Sequence, residues 1–335
     1  MKSNIICSIS GRKMKNKKIL IVSEYFYPEE FKINEVALEW KKKGYDVDVL
    51  TQNPTYPIGE IYNGYSNKWY TKENWNGINI YRLKAVTGYK KSLFKKLLKY
   101  ITFMIIGTIV SLKIGKKYDR IFGFDIAALT GMVPAIILNK IYKKRVILWI
   151  QDIWPDSVYA YGFKKRKLLE VFLNSFVRFV YAHTSAFAIS GKGFEKKIRP
   201  FLKQDKEILY LPNWADELET NMEPFQFSKI KKIHFTFAGN VGKVQNLENV
   251  IEGFSKLDTK YLNKAQLNII GDGSNSEYLK QQVIDKKIGD KVIFWGKKPR
   301  SDMYKYFSGS DFLIVSLVDK EIFSLTVPAK IKHIC

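Results

Sequence analysis

Lys18-Ile19-Leu20-Ile21-Val22-Ser23-Glu24-Tyr25-Phe26-Tyr27-Pro28 places an apolar run of strand length in front of a polar, aromatic loop that ends in proline. Such a run, bounded by a turn signal, reads as a strand buried on both faces. Helical spacing follows at Asn34–Lys43, and a second apolar run at Asp46–Thr51. Strand, helix and strand in this order predict a βαβ unit and a parallel sheet.

The alternation continues outward. Strand-like runs recur at Ile78–Leu83, Arg120–Phe124, Val146–Ile150, Ala186–Ser190 and Ile208–Leu211. After Pro212-Asn213-Trp214 the series restarts, with strands at Lys232–Ala238, Gln266–Ile270, Lys291–Trp295 and Asp311–Ser316. Helical patterns at Asn246–Lys256, Glu277–Lys286 and Ser301–Ser308 separate them. The expectation is two doubly wound α/β domains, over residues 16–215 and 231–335, joined by a polar linker at 216–230 that carries Pro224. Residues 1–15 read as an N-terminal extension, since Met14 precedes a more typical start. Two such sheets are expected to face a cleft with their carboxyl edges, where open α/β sheets bind ligands.

A hydrophobic content of 46% in 335 residues excludes disorder and leaves enough apolar surface for two cores. The formal charge is +24, which calls for a polyanionic partner. Only eight of the 56 cations are Arg, and this weakens nucleic acid as that partner, because forked Arg contacts carry much base and phosphate recognition. Cys7 and Cys335 stand near opposite ends, and His183, His234 and His333 are scattered, so neither a disulfide framework nor a metal site is read. The surplus charge gathers beside apolar stretches. Lys90–Lys99 alternates Lys with Leu93, Phe94, Leu97 and Leu98, and Ile101–Leu112 continues as 12 nearly all apolar residues. Crossing a bilayer needs about 20 residues, so the stretch over 90–112 reads as an in-plane membrane contact. A core helix with a solvated Lys face fits the same spacing. Lys164–Lys167 before Leu168–Tyr181 repeats the arrangement.

Chemistry is expected where strands end. The first loop lacks Gly-x-Gly-x-x-Gly, and Glu29 and Glu30 would repel a pyrophosphate, which excludes a dinucleotide fingerprint. Gln151-Asp152-Ile153-Trp154-Pro155-Asp156-Ser157 puts a carboxylate at the mouth of the first sheet. Asp152 there can bond a sugar hydroxyl, while Asp152 or Asp156 can equally cap the next helix. In the second domain, Gly239-Asn240-Val241-Gly242-Lys243 and Gly271-Asp272-Gly273 let backbone approach an anion near helix N-termini, and Asp272 also suits a turn. Lys330, behind Pro328, adds a cation.

The order of these motifs resembles the retaining GT-B glycosyltransferases of the glycosyl transferases group 1 type, in the branch of capsule and O-antigen assembly. The stretches carrying the resemblance are Lys18–Pro28, Asn53–Gly59, Tyr62–Tyr65, Gln151–Ser157, Tyr210–Trp214, Phe237–Leu247, Gly271–Gly273 and Ser324–Lys330. It implies a GT-B fold and retaining transfer of a sugar from a nucleotide-diphosphate donor, UDP-linked first, with no metal or cofactor. It also implies a polyprenyl-diphosphate-linked acceptor at the cytoplasmic face of the plasma membrane, with the chain peripheral on an anionic surface. Asp152 and Gln151 take the catalytic place. Gly239, Asn240, Gly242, Lys243, Gly271, Asp272, Gly273 and Lys330 take the donor. Glu24, Tyr25 and Tyr56 take the acceptor. Relatives carry Arg and Lys where this chain has Asn240 and Gln245, and His where it has Gln151. They also continue beyond the equivalent of Lys330, so the second domain is expected to be truncated, and the alternative reading is an inactive remnant that binds membrane or partners.

Overall fold

The computed structural model describes residues 17–90, 92–160, 163–215 and 222–325. The extension at 1–15, part of the linker and Lys330 lie outside them. The chain divides into two compact units, one up to Pro212 and one from Asn213.

In the first unit, β1 (Lys18–Ser23), β2 (Asp46–Gln52), β3 (Tyr70–Trp75), β4 (Ile78–Leu83), β5 (Arg120–Asp125), β6 (Arg145–Ile150), β7 (Ala186–Ile189) and β8 (Glu207–Tyr210) form one sheet. Its order is β3-β4-β2-β1-β5-β6-β7-β8. All neighbours are parallel except β3 and β4. The central strands are buried on both faces, with Ile19, Leu20, Ile21 and Val22 fully enclosed. This is why they read as continuous apolar runs.

Sequence reasoning missed several elements here, among them a strand and a helix that shape the sheet. β3 is an edge strand with alternate residues exposed, and it turns into β4 through Asn76-Gly77, both at positive φ. A helix at Val133–Tyr142 was not read either; Pro134 sits in its first turn and Lys143 closes it in the left-handed conformation. The stretch at 90–112 is also longer than its apolar residues suggested. It belongs to one helix, Leu93–Ile114, of 22 residues and about 33 Å, capped by Ser92. By length and composition alone this helix is long and apolar enough to cross a membrane, a test that a core helix also passes. Its buried stripe is Lys99, Phe103, Gly107 and Ser111, four residues apart. The stripe packs on Val133–Tyr142: a Cβ on Gly107 would lie 2.9 Å from Pro134, and the Ser111 hydroxyl donates to the Pro134 carbonyl at 3.2 Å.

In the second unit, β9 (Ile233–Ala238), β10 (Ala265–Ile270), β11 (Val292–Gly296) and β12 (Phe312–Leu313) form a parallel sheet in the order β11-β10-β9-β12. Asp311–Ser316 was read as a full strand, but only two of its residues pair. Helices Leu247–Ser255 and Ser276–Asp285 bury Leu247, Ile251, Leu279 and Val283 against Phe237, Leu267 and Ile269. On the opposite face, Phe227, Ile270 and Tyr306 form a smaller aromatic cluster with Phe225 and Trp295. Gly253 sits in the helix Leu247–Ser255 with open space where a Cβ would go. Gly253→Ala is therefore expected to stabilise the protein by about 0.5–1 kcal/mol, read as a rise in the urea midpoint. A fall would mean that the helix cannot take a side chain there.

Candidate functional site

At the carboxyl edge of the first sheet, three adjacent strands end in carboxylates. β1 runs into Glu24, β5 ends on Asp125, and β6 runs into Gln151 and Asp152. Their spacing is fixed by the ladder, because Ser23 pairs with Phe124, Asp125 pairs with Ile150, and the Gln151 amide donates to the Asp125 carbonyl at 2.9 Å. Glu24 and Asp125 are buried, and Glu24 Oε1 and Asp125 Oδ2 have no hydrogen-bond partner. Burial pushes the Asp125 carboxyl well above the usual range, and the charges of Asp152 and Glu24 push it further. Burial likewise lifts Asp152 to about 6. Glu24 is raised by burial, with Lys99 acting against it. Such an edge offers strong acceptors and a weak acid, a set suited to sugar hydroxyls.

The aromatic members of the predicted site stand beside it. The Tyr25 ring stacks on Phe31 and lies 5.3 Å from Tyr56, which is 44% exposed. Glu29 accepts from the Thr55 and Tyr56 amides at 2.8 and 2.7 Å, so the loop after β1 fastens the loop after β2. Burial lifts Glu29 to about 7. Arg82, enclosed on β4, donates to the Tyr27 carbonyl at 2.5 Å and to Glu73, and so ties the loop after β1 to the edge strand β3. The structure therefore brings Glu24, Tyr25 and Tyr56 into one cluster and sets Gln151 and Asp152 on the same sheet edge. Asp156 behaves otherwise: it opens a short helix, Asp156–Ala160, and pairs with Lys197 at 3.3 Å.

Sequence reasoning missed Asp125 and Lys99. Asp125 had a signal, since it is a lone acid closing the apolar strand Arg120–Asp125. Lys99 had a weaker one, since it is one of many Lys in its segment and only its place on the buried stripe singles it out.

At the carboxyl edge of the second sheet, the loops after β9 and β10 interlock. Gly239 N–H donates to the Ile270 carbonyl at 2.8 Å, Val241 N–H to the Asp272 carbonyl at 3.0 Å, and Asn275 N–H to the Val241 carbonyl at 3.0 Å. A Cβ on Gly271 would lie 1.8 Å from the Gly239 carbonyl oxygen, and one on Gly273 would lie 2.3 Å from that of Val241. The missing side chains of Gly271 and Gly273 thus make room for the facing loop. Asp272 accepts from the Gly273 amide and the Ser276 hydroxyl, which is the turn role. Gln245 Oε1 accepts from the Gly242 amide at 3.1 Å and from the Asn240 side chain at 3.4 Å. This leaves Asn240 and Lys243 exposed on the outer side of the loop, just before the helix Leu247–Ser255. Among the described residues, no group of His, Cys, Asp or Glu could hold a metal.

Two Rossmann-like units, each with loops gathered at the carboxyl ends of parallel strands, define a GT-B fold. The E. coli trehalose-6-phosphate structure bound with UDP-2-fluoro glucose superposes with a TM-score of 0.66 at 10% identity, over 93% of this chain and 82% of that one. Residues 220–327 match the family model Glycosyl transferases group 1. Two curated proteins are similar. The probable glycosyltransferase WbjE of Pseudomonas aeruginosa is 24% identical over 60% of this chain. The putative colanic acid biosynthesis glycosyl transferase WcaI of Escherichia coli K12 is 24% identical over 83%. The chain spans 53% of the length of WbjE and 71% of that of WcaI.

Proposed function

We propose that this protein is a glycosyltransferase of polysaccharide or lipopolysaccharide-type assembly. It transfers a sugar from a nucleotide-diphosphate donor, UDP-linked first, to a polyprenyl-diphosphate-linked acceptor, with retention. The observation that carries this reading is the match of the glycosyl transferases group 1 model to the unit whose glycine loops interlock at one sheet edge. In the proposed reaction, charge on the departing diphosphate falls on backbone N–H groups around Gly239, Asn240 and Gly242, on Lys243, and on Lys330. No metal or cofactor enters. Gln151 and Asp152 orient sugar hydroxyls, so that the acceptor oxygen attacks from the face the diphosphate leaves. Glu24, Tyr25 and Tyr56 take the acceptor.

The same reading sets the chain peripherally on the cytoplasmic face of an anionic membrane. Two outward faces support it. On Leu93–Ile114, Leu93 and Phe94 are 76% and 73% exposed, among Lys90, Lys95 and Lys96. On the helix Lys167–Ala182, Leu168 and Phe172 are 87% and 66% exposed behind Lys164–Lys167. Together with the shortage of Arg, these favour a lipid surface over nucleic acid as the polyanion.

The test is calorimetric titration of the whole chain with UDP, UDP-sugars and GDP-sugars. One nucleoside diphosphate is expected to bind, and Asn240→Asp, which sets a like charge against it, is expected to weaken that binding about tenfold. If no nucleoside diphosphate binds, the proposal fails. If Asn240→Asp binds as tightly as the wild type, the loop after β9 is not the donor site.

A further inference from the structure

Lys99 is the first buried residue of the helix Leu93–Ile114, and the six residues before it, Leu93–Leu98, are all exposed. Its ammonium is enclosed, 2.6 Å from the Tyr25 hydroxyl and 3.3 Å from Glu24 Oε2. The rings of Tyr25, Tyr89 and Tyr100 surround it, with centroids at 4.4, 4.9 and 5.1 Å. The outer face of the same turns carries Leu93, Phe94, Leu97 and Leu98, each at least 40% exposed. One helix therefore carries, on opposite faces, an unpartnered apolar surface and the cation that sets the loop after β1.

We infer that Lys99 is a positioning residue through which a lipid surface on this helix sets Glu24 and Tyr25. The inference rests on the proposed membrane contact. A buried ammonium must keep its partners, because withdrawing it strands a buried carboxylate. If the exposed end of the helix shifts to seat its apolar face in lipid, the Lys99 stem either carries Glu24 and Tyr25 with it or loses them. Retaining them couples the two faces. The coupling is reciprocal: whatever orders Tyr25 and Glu24 also favours the lipid-seated helix. Tyr25 passes it on, since its ring contacts Phe31 and the exposed Tyr56.

The test labels the whole chain with 3-fluorotyrosine and identifies the Tyr25 resonance by its loss in Tyr25→Phe. Vesicles rich in phosphatidylglycerol are then added, and flotation is measured on the same samples. In the wild type, the protein should float and the Tyr25 resonance should shift. In Lys99→Met, flotation should persist and the shift should vanish, and Lys99→Arg should restore part of it. Lys99→Gln, which keeps much of the stem and removes the charge, carries the same expectation should Lys99→Met unfold. A Tyr25 shift of wild-type size in Lys99→Met or Lys99→Gln overturns the inference, as does a wild type that floats with the resonance unmoved. A wild type that does not float overturns the membrane reading and the inference with it.

Discussion

Gly271→Ala is expected to destabilise the second unit by about 4 kcal/mol and to abolish nucleotide binding. Two costs add. Gly271 has φ +125°, a conformation that costs a residue with a side chain on the order of 1–3 kcal/mol. The new Cβ would also stand 1.8 Å from the Gly239 carbonyl oxygen, which is backbone and has no rotamer to yield. Relief requires the two loops to part. This strains the Gly239–Ile270, Val241–Asp272 and Gly271–Gly296 backbone bonds, each worth about 1 kcal/mol. Because the chain forms two compact units, urea unfolding should resolve an early transition for the second. Gly253→Ala in the same unit is the control and should move the midpoint the other way. A Gly271→Ala protein with an unchanged midpoint and unchanged UDP affinity would mean that the loops are not interlocked as described.

The loop pair also marks where sequence reading stops. Strands buried on both faces were legible to within about a residue, β1 at Lys18–Ser23 and β4 at Ile78–Leu83 at both ends, because burial selects mostly apolar side chains. The edge strand β3 was not, since half its side chains face solvent and its sequence, Tyr-Thr-Lys-Glu-Asn-Trp, has no apolar face. Its Asn76-Gly77 turn was the available signal, as a tight hairpin favours that dipeptide. The helix Leu93–Ile114 was underestimated because its length is set by backbone propensity and the Ser92 cap, while the reading followed the apolar residues alone. In the candidate site, the glycines were legible and the loop they face was not. Their close neighbours come from a loop some thirty residues away, and only the pairing of β9 with β10 brings that backbone in. Glu24, Tyr25 and Tyr56 were named together only through the family resemblance, and they lie close because they follow the neighbouring strands β1 and β2. Asp125 and Lys99 were masked, one by ending an ordinary strand and the other by standing among other lysines.

Asp152→Asn is expected to make the protein more stable at pH 8 and nearly inactive. Burial raises the Asp152 carboxyl from 3.8 to about 6. Its contribution to stability is therefore full below about pH 4, where the group is neutral in both states, and is lost as pH rises through 6. At pH 8 the folded chain holds an ionised carboxylate in a poor place for one. A shift of about two units corresponds to at most about 3 kcal/mol. Asparagine keeps the shape and carries no charge, so a gain of about 1–2 kcal/mol is expected at pH 8 and none at pH 4. Asp125 and Glu24, on the neighbouring strand ends, are raised by burial too, and neutralising Asp152 removes one of the charges that lift Asp125. Turnover, measured as nucleoside diphosphate release with the acceptor present, should fall about 100-fold, because a misplaced sugar loses that much rate. The wild-type rate should itself decline as pH drops through about 6, where Asp152 gains a proton and accepts hydroxyl bonds less well. A purely structural carboxylate would do the reverse: its loss would destabilise the chain and leave the remaining activity with an unchanged pH profile. A group that costs stability in its ionised form and is needed only for turnover is the mark of a site kept for chemistry. An Asp152→Asn protein that gains nothing at pH 8, or that retains turnover, would take Asp152 out of the active site.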